Sequence, residues 1–172
     1  MLKIIDNFLS DDIVNVLEKN FLEIPHYFGH SSTIPKKGED ETKHNRFYMT
    51  ELNFNNPLVD IVGTKIRSTV DFSLKYLRVY INVQHTNMNG EFHSDDGQVT
   101  FLLMSSRTLN PGSGMFQVKI NNNDNEIHSV NFVKNRLIMF DASWQHRGLA
   151  PLEIGIPRIT LAFKTEIIKN AT

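Results

Sequence analysis

Cysteine is missing from all 172 residues. That excludes a disulfide framework, a thiolate metal site and a cysteine nucleophile, so any bound metal must be held by His, Asp or Glu. Long apolar runs are missing as well. No stretch of about 18 apolar residues exists, and Met1-Leu2-Lys3-Ile4-Ile5-Asp6 lacks the apolar run of a signal peptide. There is no charge excess either: 18 Lys and Arg against 19 Asp and Glu leave a formal net charge of −1. Bulk attraction to nucleic acid or to an anionic membrane is therefore not indicated. Repeats, low-complexity tracts and linker-like stretches are lacking too. These absences lead to the expectation of a soluble, intracellular, cytoplasmic protein with one domain over residues 1–172. With 40% hydrophobic residues, it can bury a sizeable core.

The residues present divide the chain in two. Ser10 can cap a helix with Asp11 and Asp12 in its first turn, and Ile13, Val16, Leu17 and Phe21 follow at helical spacing. A second helix is expected from Asn56-Pro57 through Leu58, Ile61, Val62, Ile66 and Val70, weakened by Gly63. Between them, Ser31 to Asn45 is polar and carries Pro35, Gly38 and the run Lys36-Lys37-Gly38-Glu39-Asp40-Glu41, a long loop of the kind that serves as a lid. From residue 75 the pattern is that of strands. Leu77, Val79, Ile81 and Val83 alternate with Arg78, Tyr80, Asn82 and Gln84. Val99 to Met104, Met115 to Ile120, Ile127 to Val133, Leu137 to Phe140 and Ile156 to Ile168 follow, with a hairpin turn at Asn121 to Asn125. Two helices followed by seven or eight strands predict an α+β fold: a jelly-roll core over 75–168, with residues 1–74 supplying helices, strands and the loop.

The chemistry concentrates in Phe92-His93-Ser94-Asp95, His146 and Arg158. In a strand, residues two apart share a face, so His93 and Asp95 can present an imidazole and a carboxylate together. Two histidines and one carboxylate on one side of an iron(II) ion leave positions open for other ligands. Asp96 would point away from His93. Arg158 and Thr160 share a face of the apolar strand Arg158-Ile159-Thr160-Leu161-Ala162-Phe163, and a buried arginine there needs an anion, since an unpaired buried charge is very costly.

The segments Arg78 to Gln84, Gly90-Glu91-Phe92-His93-Ser94-Asp95, Asn135 to Asp141, His146-Arg147-Gly148 and Arg158 to Phe163 resemble, in order and spacing, the 2-oxoglutarate- and iron(II)-dependent oxygenases of the prolyl-4-hydroxylase-like branch. The opening Ile4-Ile5-Asp6-Asn7-Phe8-Leu9-Ser10 is also similar to the start of such domains. The resemblance implies a double-stranded β-helix with the N-terminal helices packed on one sheet. It implies iron on His93, Asp95 and His146, with the far carboxylate of 2-oxoglutarate on Arg158 and Thr160. Dioxygen is the co-reactant, and ascorbate a candidate accessory. The family reaction decarboxylates 2-oxoglutarate to succinate and oxidises an unactivated carbon. Asp95 fills the place that halide takes in related halogenases, so hydroxylation is expected, of a peptide (a prolyl residue first) or a small molecule. A metal-binding jelly roll without turnover is the alternative, and Arg158 argues against it. Two positions depart from the family. Gln84, or His85 in a shifted register, stands where a cosubstrate-facing tyrosine is usual, and Leu103-Met104 where a second one is common. His26, His30, His44 and His128 read as surface residues. Trp144 reads equally as pocket wall or core. Tyr80 and Asn82 are candidates for the pocket lining, and Arg136 for structural support.

Overall fold

The computed structural model describes residues 1–33 and 45–168. Its first strand, β1 (Leu2–Ile5), is followed by helix α1 (Asp11–Glu23). The apolar stripe of α1 is Val14, Leu17 and Phe21. Val16, expected inside, is 51% exposed: it sits beside rather than within the stripe. Ser10 takes the extended cap conformation, but its side chain makes no cap bond. Strands β2 (Tyr27–His30) and β3 (Phe47–Glu51) form a hairpin, and helix α2 (Pro57–Arg67) begins where Asn56 accepts the Leu58 N–H at 2.9 Å. Helix α2 runs through Gly63 all the same. A Cβ there would lie 2.9 Å from the Tyr76 hydroxyl, which donates to the Gly63 carbonyl and ties the helix to the next strand.

That strand is β4 (Ser73–Gln84), followed by β5 (Val99–Met104), β6 (Phe116–Lys119), β7 (Ile127–Val130), β8 (Arg136–Asp141), β9 (His146–Gly148) and β10 (Arg158–Ile168). Seven strands make one antiparallel sheet in the order β1-β8-β5-β10-β4-β3-β2, and three make a second, β7-β6-β9. The asparagines at the β6–β7 turn adopt left-handed backbone, with φ of 52° at Asn121 and 58° at Asn122, as asparagine tolerates.

Period-2 alternation divides the large sheet between two cores. Val79, Ile81, Val83, Phe101, Leu103, Leu137, Ile159, Leu161 and Phe163 face the helices, meeting Leu17, Phe21, Val59, Val62 and Ile66. The N-terminal helices thus pack on one sheet. The opposite face turns toward the small sheet, where Leu102, Met104, Ile138 and Phe140 meet Phe116, Val118 and Phe132. This two-sheet sandwich is the jelly roll expected of the chain. Strand β10 as far as Thr165 and the C-terminal part of β4, from Val79 on, are largely buried on both faces because helices cover one and the small sheet roofs the other. No helix among the described residues is long and apolar enough to cross a membrane.

Candidate active site

The small sheet's fourth position is taken by a single bridge. His93 and His146 sit opposite each other, the His93 N–H donating to the His146 carbonyl at 3.1 Å and the reverse bond closing at 2.8 Å. His93 is therefore not in a regular strand with Asp95, as the sequence suggests. Asp95 follows in a loop, held by its N–H on the Ala142 carbonyl at 2.8 Å. The ligand types still converge: one donor atom each from His93, Asp95 and His146 lies within 4.8 Å of the others. Asp96 is exposed and outside the group.

Both imidazoles have their tautomer fixed by the backbone. His93 Nδ1 lies 2.9 Å from the Glu91 carbonyl and His146 Nδ1 2.9 Å from that of Trp144, so each Nδ1 must carry the hydrogen. Each Nε2 then presents its lone pair to the shared space, as metal-binding histidines do. Burial, followed by the charge of His146, pushes the His93 pKa down to about 4, keeping the ring neutral near pH 7. Burial alone would raise the Asp95 carboxyl. A hydrogen bond and charge from His146, supplied when that ring is protonated at low pH, outweigh it together with Lys164 and His93 and hold the group well below the usual carboxylate range. Thr100 donates to Asp95 Oδ2 at 2.8 Å, and Lys164 Nζ lies 3.0 Å from Oδ1.

Above the triad the cavity, about 280 Å³, runs along the inward face of β10 to Arg158. Arg158 is 2% exposed. Burial pushes its pKa down to about 9, which still leaves it a cation at neutral pH. Its Nε donates to the Gly114 carbonyl at 2.8 Å and its Nη1 to Gln84 Oε1 at 2.7 Å. The Gln84 amide is itself fixed on the Met88 and Gly148 carbonyls, so the register places Gln84 here and His85 outside the cavity. Gly148 makes the room: a Cβ on it would come within 2.9 Å of both the Arg158 guanidinium carbon and Gln84 Oε1.

Buried side-chain polar atoms without a hydrogen-bond partner among the described residues are Asn82 Oδ1, Asp95 Oδ1, Arg158 Nη2 and Thr160 Oγ1. All four residues line this one cavity. Orphaned buried groups are expensive, so their convergence marks a place for a polar ligand. A dianion with one carboxylate for Arg158 and Thr160, beside a divalent ion on the triad, fits this donor set.

Tyr80 and Asn82 line the cavity as expected. Trp144 is not among its lining residues: it is buried in the core between the sheets and contributes only its carbonyl. Arg136 pairs with Asp6 at 2.6 Å, a structural role. His30 departs from the surface reading, for it lines the cavity mouth with its ring edge against Phe47. His44 lies outside the described residues, as do 34–44 of the stretch read as a lid. Its first residues do reach the mouth, where Ser32 accepts the Glu91 N–H at 3.2 Å. Thr100, Lys164 and Arg78 escaped the sequence reading. The alternation through 158, 160 and 162 continues to 164 and was the signal for Lys164.

No family model matches the sequence, and no curated protein matches it. The fold does have clear counterparts among solved structures: it is the double-stranded β-helix of the 2-oxoglutarate- and iron(II)-dependent oxygenases, and it resembles prolyl hydroxylases among them. A prolyl hydroxylase from Trichoplax adhaerens, solved with a hypoxia inducible factor peptide fragment, has a TM-score of 0.67 at 13% identity, over 95% of this chain and 83% of that one. An oxygenase of the 2OG-Fe(II) family from Burkholderia pseudomallei has a TM-score of 0.72 at 10% identity, over 95% and 84%. HygX from Streptomyces hygroscopicus, with nickel and 2-oxoglutarate bound, has 0.68 at 11%, over 94% and 81%.

Proposed function

We propose that residues 1–172 form one oxygenase domain that uses iron(II) and 2-oxoglutarate to hydroxylate a carbon of a peptide or small-molecule substrate. The observation that carries this reading is the shared cavity of a two-histidine, one-carboxylate group and a buried arginine with an unused Nη2. A metal-binding module without turnover has no use for that second feature.

In this reading His93, Asp95 and His146 hold the metal, and Arg158 with Thr160 holds the far carboxylate of 2-oxoglutarate. Iron with this cosubstrate and dioxygen supplies the oxidation of an unactivated C–H bond, with succinate and carbon dioxide formed from the cosubstrate. The chain supplies orientation and exclusion of water. The Glu91 and Trp144 carbonyls hold both rings with Nε2 inward, and Thr100 restrains the carboxylate that joins them. Gln84 and the Gly114 carbonyl fix the guanidinium plane, so that little freedom is lost when an anion meets it. Leu102, Phe116, Phe140 and Ala162 give the cavity its apolar walls. A prolyl residue is the first substrate to try, given the prolyl hydroxylases among the structural neighbours.

The test is succinate release from 2-oxoglutarate with iron(II) and ascorbate, with and without candidate peptides and metabolites. Wild type should form succinate, and Asp95→Ala should lose both turnover and metal binding, while Asp96→Ala keeps both. Metal binding retained by Asp95→Ala and lost in Asp96→Ala would sink the assignment of the carboxylate.

A further inference from the structure

The inward face of β10 carries a second cation that the cosubstrate reading leaves unused. The face runs Arg158, Thr160, Ala162, Lys164, and six residues of strand separate its two charged ends by about 20 Å. Lys164 is only 9% exposed. Its register partner on β4 is Arg78, so two cations stand directly opposite each other on one face of the sheet. Like charges in that arrangement are destabilising. Tyr80 braces both, with the Arg78 guanidinium 4.9 Å and the Lys164 ammonium 5.6 Å from its ring centroid.

Without metal the two charges are balanced. Arg78 Nε meets Glu51 at 3.0 Å on the exposed side, and Lys164 meets Asp95 at 3.0 Å. The Lys164 contact is an ion pair without hydrogen-bond alignment, since Asp95 Oδ1 has no hydrogen-bond partner. A divalent ion on the triad changes this balance. The ion then competes for the same carboxylate and repels the ammonium beside it. The dianionic cosubstrate offsets the metal, Arg158 offsets Asp95, and Lys164 is left over. Asp96 at the rim is exposed and makes no ion pair with it.

Resting on the proposed function, we infer that Lys164 and Arg78 anchor an anionic group of the substrate, at the end of the cavity away from Arg158. The group is a carboxylate or a phosphate, and it replaces Asp95 as the partner of Lys164 once the metal is in place. Arg78 suits the task because its two Nη groups have no hydrogen-bond partner among the described residues. His30 lines the same cavity and can add a neutral polar contact. The substrate is thereby narrowed to acids: a free acid, a phosphorylated compound, or a peptide with such a group near the carbon oxidised.

The probes are phosphate and acetate, read by paramagnetic broadening of their 31P and 13C lines on the protein loaded with manganese(II) and saturated with 2-oxoglutarate. At least one line should broaden saturably in wild type. The broadening should fall about tenfold or more in Lys164→Met, as expected when one partner of a buried charge pair is removed, and should persist in Lys164→Arg. Arg78→Met repeats the measurement should Lys164→Met fail to fold. Phosphate alone broadened would assign a phosphorylated substrate, and acetate alone a carboxylic acid. Broadening absent in wild type, or equal in wild type and both methionine variants, overturns the inference. Calorimetric titration of 2-oxoglutarate into the same manganese-loaded wild-type protein, before the saturating addition, separates the two readings. If 2-oxoglutarate binds and neither anion does, the anchor alone fails. If 2-oxoglutarate does not bind, the proposed function fails.

Discussion

Arg158 is a cation withdrawn from water with part of its hydrogen-bonding capacity unspent, and this one residue concentrates the case for a carboxylate ligand. Truncating one partner of a buried charge-assisted contact commonly costs about 2–5 kcal/mol. Arg158→Met should therefore weaken 2-oxoglutarate binding by roughly 30-fold or more, with metal affinity changed far less. Calorimetry on both ligands checks this, and equal affinity for 2-oxoglutarate in the variant would remove the main support for the cosubstrate site. Gly148 offers a complementary route to the same end. A methyl group there meets the guanidinium and Gln84 at 2.9 Å, so Gly148→Ala should impair 2-oxoglutarate binding without removing any hydrogen-bonding group. At this scale Arg158 and the three clustered residues were legible in the sequence because a charged or ligating side chain stood inside an apolar or family-like pattern. Lys164 was not. It opens the polar stretch Lys164-Thr165-Glu166, which reads as a strand leaving the core and masks the alternation continuing from 158, and the pairing with Arg78 and Thr100 establishes that it faces inward.

The elements show the same division. Strands β4, β5, β8 and β10 could be read from alternation or apolar runs, since each has a face committed to a core. Strands β2 and β9 could not. Tyr27-Phe28-Gly29-His30 has no alternation, with its first two side chains exposed, and β9 is three residues long and defined only by its partners. The stripe of α1 was displaced because Val14 rather than Val16 turns inward, a distinction that apolar content does not make. What joins the N-terminal segment to the sheet is also invisible to periodicity. Asn135, with φ of 66°, accepts the Leu9 N–H and donates to the Leu9 carbonyl, each at 2.8 Å and buried. Asn135→Ala leaves both Leu9 groups unpaired and should cost about 2–4 kcal/mol of stability, measured by urea unfolding. A loss below about 0.5 kcal/mol would mean that water replaces the side chain.

For the molecule as a whole, the triad that gathers ligands also sets the acid limit of the metal-free fold. His93 has its pKa lowered from 6.5 to about 4, so the unfolded chain binds more protons than the folded one between those values. Stability should be level above pH 6.5 and fall as the pH drops toward 4. The depressed Asp95 carboxyl adds a loss in the same direction at lower pH. Thermal melts of the metal-free protein from pH 7.5 to 4.5 would check the sign, and His93→Gln should flatten the upper part of the curve. The sheets themselves are unequal, seven strands against three. The large one is clamped between helices and core. The small one carries Gln117, Ser129 and Arg147 on its outer side, bonded to each other, with Arg147 also stacked on Phe92, and no helix among the described residues packs on that side. Such a vessel has one rigid wall and one compliant wall. Amide exchange should accordingly be slowest along β4 and β10 and faster along β6, β7 and β9. His146 is carried by the compliant wall while Arg158 stands on the rigid one, so any breathing of the vessel alters the distance between the two ends of a ligand held across it.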